Sequence, residues 1–264
     1  MDYDPLRRGF AEFVGTFTLI FIGAGSILTL TKMLEPATNG SAQALGVYGS
    51  LTLVSVALAH GLAIAVMVSA VGHISGGHFN PAITIGFFVT RRLAPTLALV
   101  YLSVQLLGAT AAALLLRWFF SASVRATTNL GAPGLASGIS VWQGVVIEGV
   151  LTFFLVWVVF ATAADPGGSF KSIAGLAIGF TITLDIFMGG PYTGAAMNPA
   201  RAVGPELVQN FWSDGWVYWV GPLIGAGLAA LAYEHLYLRP LSPEPVGPPE
   251  TGLEEPGAGD PAAI

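Results

Sequence analysis

Long apolar segments alternate along this chain with short polar stretches. A helix needs roughly 20 mostly apolar residues to cross a bilayer, and six segments come close to that length or exceed it. They cover residues 10–30, 47–71, 93–116, 140–163, 172–188 and 215–238. The pattern predicts an all-α membrane protein with six transmembrane helices.

Two further apolar segments, residues 82–90 and 199–208, are too short to cross a membrane. Residues 119–139 are rich in Ser, Thr, Gly, Asn and Pro, which is typical of a connecting loop. Residues 239–264 are rich in Pro, Gly and acidic side chains, and this composition predicts a disordered tail.

The composition supports membrane insertion and excludes several functions. Hydrophobic residues make up 54% of the chain and charged residues 9%, with a mean hydropathy of +0.72, whereas soluble domains carry about 25% charged residues. The chain has no cysteine, and its four histidines lack metal-ligand spacing. It shows neither a convincing catalytic set nor a basic patch for nucleic acid. We therefore expect no enzyme activity, no cofactor, no metal and no nucleic-acid partner.

Basic residues are distributed unequally between the two sides of the predicted membrane. Six spans place both termini on one side, where the basic residues are Arg7, Arg8, Arg91, Arg92, Lys171 and Arg239. The opposite side carries Lys32, Arg117 and Arg125, with Arg201 set apart inside a short apolar segment. Cytoplasmic loops carry an excess of Lys and Arg. Both termini are thus predicted to be cytoplasmic, and the expected location is the plasma membrane.

The two halves of the chain resemble each other. The sequence GHISGGHFNPAITIG (72–86) corresponds to GPYTGAAMNPARAVG (190–204), and Glu12 in the first span corresponds to Glu148 in the fourth. Each half has an odd number of spans, so the second half is inverted, and such repeats usually meet near the bilayer midplane at the substrate site. The predicted units are residues 1–118 with a half-helix at 80–90, a loop at 119–139, residues 140–238 with a half-helix at 198–208, and the tail.

The repeated Asn-Pro-Ala sequence predicts the start of a short helix in each half. Asn is a preferred N-cap, and Pro suits the first helical position. Irregular backbone at membrane depth is tolerated only where it is buried in protein or lines a wet cavity. Two such loops that enter from opposite sides would line a pore, with the amides of Asn80 and Asn198 available to one passing oxygen atom.

Over residues 7–238, these motifs resemble the aquaporin family of major intrinsic proteins. The resemblance rests on both Asn-Pro-Ala sequences, on Arg201 directly after the second, on SGGHFNPA and on the two glutamates. It implies six tilted helices plus two half-helices, assembled as a homotetramer in the lipid bilayer with one pore in each subunit. The implied function is a passive water channel that excludes protons and ions.

The resemblance also assigns site residues. The central pore motif would be Asn80, Pro81, Ala82, Asn198, Pro199 and Ala200. The outer selectivity filter would be His60, Ile186, Ala195 and Arg201. The pore-lining carbonyls would come from Gly76, Gly77, His78, Gly194, Ala195 and Ala196. Glu12 and Glu148 would brace the two loops by accepting backbone hydrogen bonds.

Some positions depart from the most water-selective members of the family. Those members carry His where this chain has Ile186, and the combination with Ala195 resembles plant tonoplast intrinsic proteins, some of which pass ammonia or urea. Glycerol facilitators carry Asp where this chain has Ala202, and Tyr218 with Trp219 also follows the water-channel pattern. Glycerol is therefore disfavoured, and ammonia, urea or another small neutral solute remains the alternative substrate.

Two acidic residues have no place in the family pattern. Asp185 lies within the fifth predicted span and Glu206 within the second short segment. A proton-coupled transporter, which would use Glu12, Glu148 and Asp185 as a relay, is the rival function from another class.

Overall fold

The computed structural model describes residues 3–34, 42–168 and 171–239, and residues 42–48 and 171 are described by their backbone alone. This part of the chain forms nine helices, apart from short 3-10 turns. They are α1 (Pro5–Leu34), α2 (Ala42–Ser75), α3 (Pro81–Val89), α4 (Pro95–Phe119), α5 (Ala122–Thr128), α6 (Val141–Ala164), α7 (Ala174–Thr193), α8 (Pro199–Gln209) and α9 (Val217–Leu238). The predicted tail beyond Arg239 lies outside the described residues.

Six of these helices are long and apolar enough to span a membrane: α1, α2, α4, α6, α7 and α9. The prediction of an all-α membrane fold with six spans is confirmed. Their outward faces carry large apolar side chains such as Leu62, Val66 and Phe180, which are 46%, 61% and 50% exposed. A soluble protein seldom exposes apolar patches of this extent, whereas helices that span a membrane do.

The first span is longer at both ends than the pattern predicted. Asp4 caps α1 because its side chain accepts a hydrogen bond from the backbone N–H of Arg7 at 3.0 Å, and Pro5 occupies the first helical position. Inside α1, a π-helical turn covers Leu19–Ala24. Such turns contain one extra residue, are rare and occur frequently at functional sites.

The two short apolar segments form half-helices, α3 and α8, and each packs against spans of the other repeat. Helix α3 contacts α9, and α8 contacts α4. Among the spans, the closest partners are α6 with α9, α2 with α7, and α1 with α4. Glycines permit this closeness, since a Cβ at Gly179 would lie 2.7 Å from Cβ of Ala65 across the α2–α7 contact. The half-helices therefore lie inside the bundle.

The segment predicted as a connecting loop contains a short helix, α5. Its first turn is capped by Ser121, whose hydroxyl accepts from the N–H of Val124 at 3.4 Å. Leu130, after this helix, is fully buried with a positive φ of 56°. Composition indicated only that the segment is polar, whereas burial of a few apolar side chains folds it onto the bundle.

Candidate pore

Each half-helix starts at the asparagine that the sequence singled out. The Asn80 side-chain oxygen accepts from the backbone N–H of Ala82 at 2.8 Å. The Asn198 oxygen accepts from the N–H groups of Ala200 at 2.9 Å and Arg201 at 3.2 Å. Both asparagines have extended φ and ψ values, as N-caps do. The amide oxygens are thus fixed by their own helices.

The amide nitrogens connect the two loops to each other. Asn80 Nδ2 donates to the carbonyl of Met197 at 2.8 Å, and Asn198 Nδ2 donates to the carbonyl of Phe79 at 2.9 Å. The loop tips are therefore in direct and reciprocal contact. A side-chain amide carries two N–H groups, so one N–H of each asparagine remains for another acceptor.

Glu12 binds the first loop from inside α1. One carboxylate oxygen accepts from the Ser75 hydroxyl at 2.7 Å and from the N–H of His78 at 2.9 Å. The other accepts from the N–H of Phe79 at 2.6 Å and from Gln105 at 2.8 Å. Glu12 is fully buried, and these bonds satisfy a carboxylate that would otherwise be costly inside a membrane protein.

Glu148 binds the second loop with nearly the same geometry. One oxygen accepts from the Thr193 hydroxyl at 2.6 Å and from the N–H of Ala196 at 2.9 Å, and the other accepts from the N–H of Met197 at 2.7 Å. The inverted repeat inferred from the sequence thus extends to individual hydrogen bonds.

Several loop residues have a left-handed backbone conformation, with φ between +44° and +96°. These residues are Gly76, Gly77, Phe79, Gly194, Ala195 and Met197. Such φ values are uncommon for residues other than glycine. At Phe79 and Met197, the conformation directs the N–H to a glutamate and the carbonyl to the opposite asparagine. The carboxylates therefore hold the backbone in a conformation that it seldom adopts unaided.

A narrow cavity, with only ≈ 20 Å³ of room for the centres of water-sized molecules, runs past both asparagines. Its polar lining from the two loops consists of Gly77, His78, Asn80, Ala195, Ala196 and Asn198. Its apolar lining includes Ile64, Ile83, Ile178 and Ile182. Gly76 and Gly194, which the sequence also assigned to the pore, lie outside this lining. Pro81, Ala82, Pro199 and Ala200 are buried in the first turns of the half-helices.

The four predicted filter residues all line this cavity, so the structure brings them together. His60 in α2 bonds through Nδ1 to the carbonyl of Val56 at 2.9 Å, and its Nε2 is buried without a partner. Arg201 Nη1 donates to the carbonyl of Gly131 at 2.8 Å, and its Nε is likewise buried without a partner. Ile186 contributes an apolar wall.

The comparisons with known proteins agree with this architecture. The profile described as Major intrinsic protein matches residues 2–233. The chain belongs to the major intrinsic protein family. A probable aquaporin TIP3-2 from Arabidopsis thaliana is 45% identical, with 92% of this chain and 88% of the relative covered. Aquaporin TIP1-1 from Zea mays is also 45% identical, with 89% and 90% covered. The resemblance to plant tonoplast-type channels is thereby confirmed.

A solved aquaglyceroporin from Plasmodium falciparum superposes with a TM-score of 0.69, covering 90% of this chain and 98% of that one. Its sequence identity is 22%, so it supports the fold alone.

Four further residues hold the loops in this member of the family: Ser75, Thr193 and Tyr101, which the sequence did not single out, and Tyr218, which it singled out only for its match to the water-channel pattern. The hydroxyl of Ser75 accepts a hydrogen bond from the backbone N–H of Gly77, and that of Thr193 accepts one from the N–H of Ala195, both at 3.1 Å. Tyr101 donates to the carbonyl of Ser75 at 2.5 Å, and Tyr218 donates to that of Thr193 at 2.8 Å. Ser75 and Thr193 stand at the same offset before Asn80 and Asn198, so the aligned repeats contained a signal for them.

The two unexplained acids lie away from the cavity lining. Asp185 is 5% exposed and its Oδ2 has no partner, and Glu206 is 1% exposed with a partnerless Oε1. Glu206 lies against Gly215, where a Cβ would be 3.2 Å from its carboxylate. A relay that used Glu12, Glu148 and Asp185 gains no support, because both glutamates accept the hydrogen bonds that hold the pore loops.

Proposed function

We propose that water crosses this channel in single file between Asn80 and Asn198. Family membership and the aquaporin names of the plant relatives support a passive water channel. The observation that carries the mechanism is the reciprocal bonding of the two asparagines, which leaves one N–H of each amide unused beside the cavity that both residues line.

A water molecule at that point receives hydrogen bonds from both amides and directs its own hydrogens away from them. A chain of water molecules interrupted in this way does not pass protons along. The N-termini of α3 and α8 begin at these asparagines, and helix N-termini carry partial positive charge. That field opposes a hydronium ion at the midpoint, which is a known basis of selectivity in such pores.

The filter that we propose consists of His60, Ile186, Ala195 and Arg201. Arg201 is 4% exposed and its Nη1 is held by a backbone carbonyl, so its charge is fixed beside the cavity and repels cations. Pore diameter, hydrogen-bond lining and a fixed charge together determine which solutes enter.

Ammonia is a second substrate that the filter favours. Ile186 is 3% exposed, lines the cavity and supplies no hydrogen-bond donor. A filter with an apolar wall demands fewer polar contacts from a solute than a filter that has an additional hydrogen-bond donor at this position. Ammonia, which is small and neutral, therefore meets less opposition here than at a fully polar filter.

The assembly and orientation also belong to this proposal. The exposed apolar faces of the spans fit lipid together with neighbouring subunits of a homotetramer. The excess of basic residues on the side of the termini supports a cytoplasmic location for both ends. The plasma membrane expectation gains no support from the relatives, whose names designate TIP-type aquaporins. Cell fractionation with marker proteins of each membrane tests it.

Osmotic shrinkage of proteoliposomes, followed by stopped-flow light scattering, tests the function. Vesicles with the wild-type protein should shrink several-fold faster than protein-free vesicles, and ammonia entry is followed by an internal pH dye. Ile186→His should lower the ammonia flux relative to the water flux, whereas the apolar control Ile186→Val should keep the wild-type ratio. Wild-type vesicles that shrink no faster than protein-free ones would refute the water channel.

A further inference from the structure

We propose that the π-helical turn Leu19–Ala24 of α1 is a positioning platform for the selectivity filter. In this assignment, Gly23 sets the location of the His60 ring, and Ala24 supports the loop carbonyl that holds Arg201. The inference rests on the proposed filter and goes beyond it, because Gly23 and Ala24 are not members of that filter.

The turn changes which residues of α1 face the pore. The N–H of Gly25 bonds to the carbonyl of Ile20, a spacing of five residues instead of the four of an α-helix. Every residue after the turn is therefore rotated about the helix axis relative to a regular helix. Leu19 at the start of the turn lines the cavity, and Gly23 near its end faces α2.

Gly23 provides the space that the imidazole of His60 occupies. A Cβ at this position would lie 2.6 Å from Nε2 and 2.8 Å from Cγ of His60, and closer still to Cδ2. On its other side, the ring is tethered through Nδ1 to the carbonyl of Val56. Since His60 lines the cavity, we expect a ring displaced from Gly23 to narrow the pore.

Ala24 supports the second polar member of the filter through the loop after α5. A Cβ at Gly131 would lie 2.8 Å from Cβ of Ala24, so the loop backbone rests directly on the π-turn. Gly131 has a φ of 78°, and its carbonyl accepts the bond from Arg201. Two adjacent residues of one turn thus support the filter: Gly23 contacts His60, and Ala24 contacts Gly131, whose carbonyl holds Arg201.

A neighbouring glycine on the same helix provides a matched control. A Cβ at Gly25 would meet only the Cδ2 atom of Leu116, at 3.2 Å. That atom is the end of a flexible side chain and does not line the cavity. Gly25→Ala therefore adds the same methyl group to the same helix without affecting the filter.

The test compares Gly23→Ala with Gly25→Ala in the full chain, each alone and combined with His60→Ala, in proteoliposomes of equal protein content. Because pore diameter governs passage, Gly23→Ala should lower water permeability about tenfold, whereas Gly25→Ala should stay within about twofold of wild type. When His60 is already alanine, adding Gly23→Ala should change water permeability less than about twofold, since the clashing ring is absent.

The outcomes distinguish failure of this inference from failure of the proposed water-channel function. If wild-type vesicles fail to conduct water, the proposed function falls and this inference with it. If the wild type conducts and Gly23→Ala matches Gly25→Ala, only the inference is overturned. A loss that persists when His60 is alanine also overturns it, because Gly23 would then act through general packing. Should Gly23→Ala not fold, folding has to return in the double variant, and continued misfolding contradicts the assignment.

Discussion

Replacement of Glu148 by Gln should destabilise the second pore loop. The substitution keeps the shape of the side chain but exchanges one acceptor oxygen for an NH₂ group. The carboxylate accepts three hydrogen bonds, from Thr193, Ala196 and Met197. The side-chain oxygen of the glutamine can keep the two bonds to Thr193 and Ala196. Its NH₂ group then faces the N–H of Met197, and because both groups are donors, no hydrogen bond forms there.

The magnitude follows from that lost acceptor. A buried donor left unsatisfied costs about 1–3 kcal/mol. The bonds that remain also weaken, because hydrogen bonds to a charged group contribute about 1.5–3 kcal/mol and those between neutral groups about 0.5–1.5 kcal/mol. A neutral amide is easier to bury than a carboxylate, which offsets part of this second loss. We therefore expect a net cost of about 1–3 kcal/mol, concentrated at the unsatisfied Met197 N–H.

The functional effect arises because Met197 has a φ of 51° and its carbonyl accepts from Asn80. Without its bond to residue 148, this backbone relaxes from the left-handed region and Asn80 loses its partner. Water permeability per channel should fall, and the unfolding temperature of the detergent-purified protein should drop by about 2–10 °C.

Asp214→Asn is the control for Glu148→Gln. It also replaces a carboxylate by its amide, at a position with a φ of 52° that Asn tolerates, and it should leave both measurements unchanged. Unaltered permeability and unfolding temperature in Glu148→Gln would refute the bracing role.

Three further substitutions test other parts of the site. Arg201→Val should raise cation and proton leak, measured with an internal pH dye under an imposed gradient, because it removes the fixed charge at the filter; an unchanged leak would contradict that role. Asp185→Asn should leave water permeability intact and the unfolding temperature equal or higher, since Oδ2 has no partner to lose; loss of all transport would favour the proton-coupled transporter instead. Tyr218→Phe should lower stability by about 0.5–1.5 kcal/mol through the lost bond to the Thr193 carbonyl, with a smaller effect on permeability than Glu148→Gln, and equal permeability losses would disprove that ranking.

The predicted spans and half-helix starts agree closely with the structure because each depends on local sequence. Hydropathy over a span-length window identifies a helix that needs no partner to satisfy its backbone. Asn before Pro is an N-cap signal within a few residues, and both Asn80 and Asn198 form such caps. The ends of α1 were less well predicted, because capping by Asp4 extends the helix beyond its most apolar part.

The loop braces were predictable only in part. Glu12 and Glu148 were expected to bind the loops because of the family resemblance, and the structure places both against them. Ser75 and Thr193 escaped notice because a hydroxyl in an apolar span has no distinctive pattern of its own. Only the alignment of the two repeats, or the folded structure, makes their shared position visible.

By itself, the sequence determined six spans, an inverted repeat and two capped half-helices, since these follow from hydropathy and from the chemistry of neighbouring residues. The tertiary structure alone decided that each asparagine bonds the opposite loop, that Arg201 is held by Gly131, and that Gly23 makes room for His60. These contacts join residues far apart in the chain, so they depend on how the two inverted halves pack. They also depend on a π-helical turn that no local sequence pattern predicts.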